Sequence, residues 1–166
     1  MEQPSIARWP SPLGTIIVAA TSRGLAGLWF EGQKHQPDMN GWPEDPRHPV
    51  LLQAMAQLDE YFAGKRERFE LPLDLQRGTP FQQSVWRALL AIPAGGTSSY
   101  ARICHAIGKP AAARAVGAAV GRNPLSIVVP CHRVLGTDGS LTGYAGGLQR
   151  KSALLQLEGA LMTDAH

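Results

Sequence analysis

Residues 98–121 read SSYARICHAIGKPAAARAVGAAVG, and this stretch decides what the second half of the chain is. Ser98 or Ser99 can cap a short helix over Tyr100 to Ile107, since a serine hydroxyl accepts from the free N–H groups of a first helical turn. Gly108 supplies a turn, and Pro110, favourable where a helix opens, starts a second helix that reaches about Gly121. Two short helices around a glycine turn predict a helix-turn-helix. The second is unusual: of the eleven residues Ala111 to Gly121, six are Ala and two are Gly. Val116 and Val120 share a face, with Arg114 about 160° from Val116 around the axis. Such a helix is either buried by close packing with Arg114 merely solvated, or smooth enough to press into a narrow groove behind one projecting arginine.

Upstream, Thr79 as cap, Pro80 at the first helical position, and Phe81, Val85, Trp86, Leu89 and Leu90 on one face predict another helix, ended by Ile92-Pro93-Ala94-Gly95-Gly96. Further back, Leu13 to Thr21 and Leu25 to Phe30 are β-rich runs joined by Ser22-Arg23-Gly24, a hairpin. The Pro-, Gly- and Asp-containing stretch from Gln33 to His48 reads as a loop. Pro49 to Ala63 carries apolar residues at helical spacing (Val50, Leu51, Ala54, Leu58, Tyr61, Phe62) and Gly64 closes it. Phe69 to Leu73 is expected to return to the sheet, and Asp74 to Gly78 to link the two halves. The fold class is therefore α/β (α+β). A small N-terminal α/β domain with an antiparallel sheet, residues 1–75, precedes a mainly helical domain, residues 76–166, that contains the helix-turn-helix.

Composition narrows the function. The chain of 166 residues can bury a real core. Its longest apolar runs fall far short of the roughly 20 residues of a membrane span, and Met1-Glu2-Gln3-Pro4 lacks the basic-then-apolar pattern of a signal peptide. A cytoplasmic protein with no membrane partner is expected. The two cysteines, Cys104 and Cys131, form no Cys-x-x-Cys pair, so neither a disulfide framework nor a thiolate zinc site is indicated. The net charge of +3 is unevenly spread: residues 1–96 hold nine Lys and Arg against ten Asp and Glu, whereas residues 97–151 hold seven against one. A basic segment of that kind is a solvated face or the footprint of an anionic partner, nucleic acid first.

The same segment holds the chemistry. The apolar run Leu125-Ser126-Ile127-Val128-Val129 leads into Pro130-Cys131-His132-Arg133-Val134, which sets a thiol beside an imidazole on a turn. Cysteine attacks as thiolate, so a histidine that takes its proton gives the pair chemical meaning. A lone Cys-His pair is also compatible with an inert buried thiol and a structural imidazole. Cys104, inside the first short helix, reads as packing.

The motif Pro130-Cys131-His132-Arg133-Val134, with Asn123-Pro124 before it and Gly143-Tyr144-Ala145-Gly146-Gly147 after it, resembles the O6-alkylguanine-DNA alkyltransferase family. So does Ala112-Ala113-Arg114-Ala115-Val116-Gly117. The resemblance covers about residues 79–159 closely and the N-terminal unit, which it implies is ribonuclease H-like, more loosely. It implies that the partner is duplex DNA carrying O6-alkylguanine. The thiolate of Cys131 would displace the alkyl carbon from O6 and keep it as a thioether, once per molecule and without a cofactor. His132 would take the thiol proton through a water. Glu158 ends the apparent helix Arg150 to Leu157, where a negative charge opposes the helix dipole. On its own it reads as a surface residue; the resemblance makes it the orienter of the imidazole. Asn123 would brace the turn, its alternative being an ordinary turn asparagine.

The resemblance further implies a flipped nucleotide, Arg114 in the gap the base leaves, and a minor-groove reader formed by Ala112, Ala113 and Gly117. Tyr100, otherwise a packing aromatic, would help rotate the backbone and hydrogen-bond the base near N3. Tyr144, Ala145 and Gly146 would line the base pocket, with the carbonyls of Cys131 and Val134 accepting from the guanine amine and the Ala145 N–H donating to O6. Lys109 and Thr137 are candidates for phosphate contacts. Some relatives carry serine where Ala145 stands, and that hydroxyl is missing here. Relatives with an N-terminal zinc site use cysteine in the first unit; this chain has none before Cys104, so no metal is expected. Nor is a fused methyl-phosphotriester module expected. A monomer is anticipated, with cooperative binding along DNA left open. Two other readings compete: a non-catalytic lesion binder of the same fold, against which Cys131 argues, and a thiol hydrolase, which leaves Arg114 and the alanine-rich helix unexplained.

Overall fold

In the computed structural model, which describes residues 2–161, three strands form an antiparallel sheet in the order β1 (Ser5–Ser11), β2 (Gly14–Thr21), β3 (Gly24–Phe30). Along β2 the side chains alternate: Ile16, Val18 and Ala20 face one cluster, Ile17 and Ala19 the other. Helix α1 (Pro49–Phe62) lays Leu51, Ala54, Leu58 and Tyr61 on the first face, while Trp29 meets Met39 and Trp42 of the following loop on the second. Cover on both faces explains the unbroken apolar runs of β2 and β3. At the hairpin, Gly24 takes φ 142°, and a side chain there would collide with the Pro72 backbone.

Two expectations for this unit are corrected. Strand β1 was not anticipated; Ile6 and Ala7 are its only buried residues in an otherwise half-exposed edge, so its apolar alternation is short. Phe69 to Leu73 does not return as a strand but touches the sheet at one bridge, Leu73 to Leu25. Pro72 has no N–H to extend a ladder, and the free edge of β3 is shared with a later segment. Leu28 N–H donates to the Pro124 carbonyl (2.8 Å) and Ser126 N–H to the Leu28 carbonyl (3.0 Å). The chain that leads to the thiol is thereby pinned to the sheet.

The helices of the second half follow their capping signals. Before α2 (Pro80–Leu89), the Thr79 hydroxyl accepts from Gln82 N–H (3.1 Å) and the Gln82 amide accepts from Thr79 N–H (3.0 Å), a reciprocal box. Before α3 (Tyr100–Ala106), the Ser99 hydroxyl accepts from Arg102 N–H (3.2 Å). Each such cap contributes about 1 kcal/mol. Helix α4 (Ala113–Gly121) begins after, not at, Pro110. Pro110 instead occupies the second position of a turn closed by Ala112 N–H donating to the Lys109 carbonyl (3.0 Å), where its fixed φ is favourable. The Trp86 indole N–H donates to the Ala119 carbonyl (2.8 Å) and ties α2 to α4. The last elements are a short parallel pair, β4 (Ser98–Ser99) with β5 (Val134–Leu135), and α5 (Leu148–Leu157), which starts slightly earlier than Arg150.

One apolar cluster runs through both halves, joining Val18, Leu28 and Phe30 to Val85, Leu89, Val116, Leu125 and Leu154. Among the described residues no helix is long and apolar enough to cross a membrane.

Candidate active site

The thiol sits where the pinned segment bends back. Ile127 holds φ 72°, a conformation that costs a β-branched residue on the order of 1–3 kcal/mol and that its complete burial helps to offset. Asn123 clasps the loop so formed: its amide donates to the carbonyls of Val129 (2.8 Å) and Leu125 (3.3 Å), and its oxygen accepts from Leu125 N–H (3.0 Å). Cys131 to Arg133 then make one tight 3-10 turn. These bonds tie Asn123 to both ends of the Leu125–Val129 loop.

Cys131 is 5% exposed, and burial pushes its thiol up to about 11, although the Asn123 amide and the Lys151 ammonium favour the thiolate. At neutral pH it rests protonated, so nucleophilic attack requires a base. The adjacent His132 is fully buried, and burial lowers its proton affinity more than Glu158 raises it. A neutral imidazole whose Nε2 lies 2.7 Å from Glu158 Oε2 donates that N–H to the carboxylate, leaving the Nδ1 lone pair available. Nδ1 has no hydrogen-bond partner among the described residues. Glu158 is not a surface residue: its side chain is 2% exposed, and it also takes Arg133 Nε on Oε1 (2.8 Å) and Arg133 Nη2 on Oε2 (3.0 Å). Burial disfavours its charge, yet hydrogen bonds from His132, Arg133 and Tyr61 outweigh that and hold the carboxyl down to about 2.

In front of the thiol opens a cavity of about 200 Å³, walled by Cys131, Tyr100, Tyr144, Ala145 and, from α4, Gly117 and Val120. Of the expected site residues it gathers Cys131, Tyr100, Gly117, Tyr144 and Ala145, and Thr142 donates its hydroxyl to the Tyr100 oxygen (3.3 Å) beside them. Gly146 does not line it: it is packed behind Tyr144 and against Phe30, where a side chain would clash. Val134 is likewise buried, and its carbonyl accepts from Lys151 Nζ (2.6 Å). Arg114 and Ala113 are exposed on α4, with Ala112 half-buried at its start, while Lys109 and Thr137 are exposed and lie outside the cavity. Cys104 is buried as a packing residue.

Several participants were not anticipated. Arg133 stood in the quoted motif without a role. Lys151 is fully buried on α5 and donates to the carbonyls of Val134 and Thr142 (2.9 Å), which closes the loop over the cavity. A signal for it existed, because it falls on one helix stripe with the buried Leu154 and Leu155. Lys34 and His35, from the loop after β3, line the cavity mouth, and Lys34 N–H donates to the Ala145 carbonyl (3.1 Å). Tyr61 donates its hydroxyl to Glu158. Among the described residues no cluster of His, Cys, Asp and Glu could hold a metal ion.

A buried thiol with a neutral imidazole and an ion-paired carboxylate behind it, opening on a cleft walled by α3 and α4, defines a cysteine-nucleophile protein. Residues 7–75 match the model of the ribonuclease-like domain of 6-O-methylguanine DNA methyltransferase, and residues 80–160 that of its DNA-binding domain. The chain belongs to this family. It is 51% identical over 148 residues to the methylated-DNA–protein-cysteine methyltransferase of Mycolicibacterium paratuberculosis, covering 89% of this chain and 88% of that one. With the constitutive methyltransferase of Bacillus subtilis it shares 47% identity over 155 residues, covering 89% and 91%. The crystal structure of Mycobacterium tuberculosis OGT in complex with DNA superposes with a TM-score of 0.85 at 48% identity, covering 92% of this chain and 91% of that one.

Proposed function

We propose that this protein repairs DNA by moving the alkyl group of O6-alkylguanine onto its own Cys131. The observation that carries the reading is the buried thiol backed by His132 and Glu158 at the end of a cavity whose other wall is α4. The Cys131 proton passes toward His132 Nδ1, directly or through a water, and Glu158 stabilises the imidazolium that forms. The thiolate attacks the alkyl carbon: a sulfur–carbon bond forms, the carbon–O6 bond breaks, and the electron pair leaves with guanine. Tyr100 donates toward the base near N3 and eases that departure. No group at hand can cleave the thioether, so each molecule acts once.

Reaching O6 within a duplex means extruding the nucleotide, at a few kcal/mol of unstacking. The smooth face of α4, with Ala112, Ala113 and Gly117, enters the minor groove, and Arg114 fills the vacated stack. Tyr144 and Ala145 hold the base, and Lys109 and Thr137 touch phosphates. The N-terminal domain, residues 1–75, supports a catalytic and DNA-binding domain, residues 76–166. The protein works as a monomer in the cytoplasm, on nucleoid DNA. The presence of Cys131 sets this apart from a lesion binder, which has no need of an acceptor.

The test is the intact mass after incubation with a duplex holding one O6-methylguanine, beside Cys131→Ala. One methyl per molecule, mapped to Cys131 and absent from the variant, is expected. Tight binding without modification would favour the lesion binder, and multiple turnover would overturn the reading.

A further inference from the structure

We infer that Tyr61, a residue of the N-terminal unit, is a positioning residue for alkyl transfer that acts through Glu158. The inference rests on the reading of Cys131, His132 and Glu158 given above and adds a member from the other half of the chain. The Tyr61 hydroxyl donates to Glu158 Oε2 at 2.6 Å, across 97 residues of sequence. That oxygen is the one that receives the His132 N–H at 2.7 Å and Arg133 Nη2 at 3.0 Å. Three donors from two elements, one from α1 and two from the thiol turn, thus converge on a single carboxylate oxygen.

The convergence has a physical reason. Glu158 caps the C-terminal end of α5, where the helix dipole and burial both oppose a negative charge. Arg133 is bound in turn by the Ile92 carbonyl (2.6 Å) and cannot wrap the carboxylate alone. Tyr61 is held rigidly: it is 2% exposed, edge-on to Phe62 at 5.2 Å and tilted against Phe69 at 5.4 Å. Burial and the neighbouring carboxylate keep its phenol protonated and a donor throughout the accessible pH range. A fixed donor on Oε2 sets the carboxylate plane, and the plane sets the direction of the imidazole N–H it accepts. His132 is thereby kept with Nδ1 free for the thiol proton. The short bond also places the rate of chemistry under the control of how α1 packs on the second half.

The groups facing Glu158 and His132 are Arg133, Tyr61, Lys151, Tyr144 and Cys131. Of these, Tyr61→Phe removes only a hydroxyl and leaves the charges in place. With one donor fewer, Glu158 attracts a proton on His132 more strongly, so the acid limb of the transfer rate should move to higher pH. The experiment is single-turnover methyl transfer from a saturating O6-methylguanine duplex against pH, for the wild type, Tyr61→Phe, Glu158→Gln and the double variant. In Tyr61→Phe the maximal rate is expected to fall about tenfold, the scale of one hydrogen bond to a charged group, with duplex affinity unchanged. In the Glu158→Gln background the same change should have little further effect. Placing 3-fluorotyrosine at position 61, which keeps the bond and strengthens the donor, should shift the limb the opposite way; this arm does not depend on Tyr61→Phe folding. A Tyr61→Phe rate equal to the wild type, an equal loss in both backgrounds, or a fall in duplex affinity alone would overturn the inference. Absence of transfer by the wild type would instead overturn the alkyl-transfer reading.

Discussion

At the scale of single residues the site is a problem in proton placement. A thiol pushed up to about 11 cannot ionise usefully on its own near neutrality, whereas His132, shifted below its ordinary value of 6.5, is ready to accept. The wild-type rate should therefore be flat from about pH 7 to 9, with its acid limb below 6.5. Replacing the base, His132→Ala, should cost about a hundredfold at pH 7 and turn the profile into a rise of about tenfold per pH unit, following the thiolate fraction; single-turnover rates check both slopes. Glu158 makes a second prediction. Its folded value of about 2 lies below the ordinary 4.5, so its stabilisation is complete above 4.5 and is lost as pH falls toward 2. His132 is also depressed in the fold, and its share is lost as pH drops below 6.5. Thermal melts of Glu158→Gln should show a lower Tm at pH 7 and a flatter decline between pH 4.5 and 2 than the wild type. Neither the Tyr61 hydroxyl nor Arg133 was legible as a partner of Glu158, since nothing in the spacing of helix residues says which hydroxyl meets which carboxylate.

At the scale of elements, α4 is the part whose composition spoke most clearly. Its packing face, Val116, Ala119 and Val120, is buried, and Arg114 is exposed away from it. A Cβ at Gly117 would meet no atom outside its own helix within 4 Å, and the residue lines the cavity. Gly117→Ala should then stabilise the fold by about 0.8–1 kcal/mol through helix propensity alone. Gly117→Leu should fold as well as the wild type but bind duplex DNA at least tenfold more weakly, a split visible by comparing melts with titrations. For Arg114→Ala the expected loss is large on a duplex and small on free O6-methylguanine; equal losses on both would remove the arginine from the flipped-base gap. The capped helices were legible from Thr79 and from the Ser98-Ser99 pair, of which Ser99 is the cap, yet the start of α4 was not. The reason lies in Pro110, which suits both a first helical turn and the second position of a β-turn, and the closing bond to Lys109 chose the latter.

At the scale of the whole molecule, the two halves share a core. The edge of β3 carries Pro124 to Ser126, the Arg150 guanidinium donates to the Leu13 carbonyl (2.9 Å) and lies 4.6 Å over the Phe30 ring, and Tyr61 reaches Glu158. Such continuity predicts one cooperative unfolding transition. Denaturation followed by tryptophan fluorescence, which reports Trp9, Trp29 and Trp42 in the first half and Trp86 in the second, should coincide with far-UV circular dichroism. Two separated transitions would mean that the halves are held by far less than the shared cluster suggests. The hairpin of β2 and β3 was readable in advance because two β-rich apolar runs around a turn glycine are local signals; β1 was missed because an edge strand with two buried residues offers only a short apolar run.

By itself the sequence determined the helix caps, the hairpin, the basic second half and the thiol beside an imidazole. Each of these depends on neighbours within a few positions, where propensity, capping and charge act directly. Only the tertiary structure decided that Glu158 is buried rather than solvated, that Lys151 closes the loop over the cavity, and that a tyrosine from α1 completes the carboxylate's bonds. Those outcomes depend on which surfaces lose water together when distant segments pack, and the free energy of a buried charge is set by partners that chain spacing does not name.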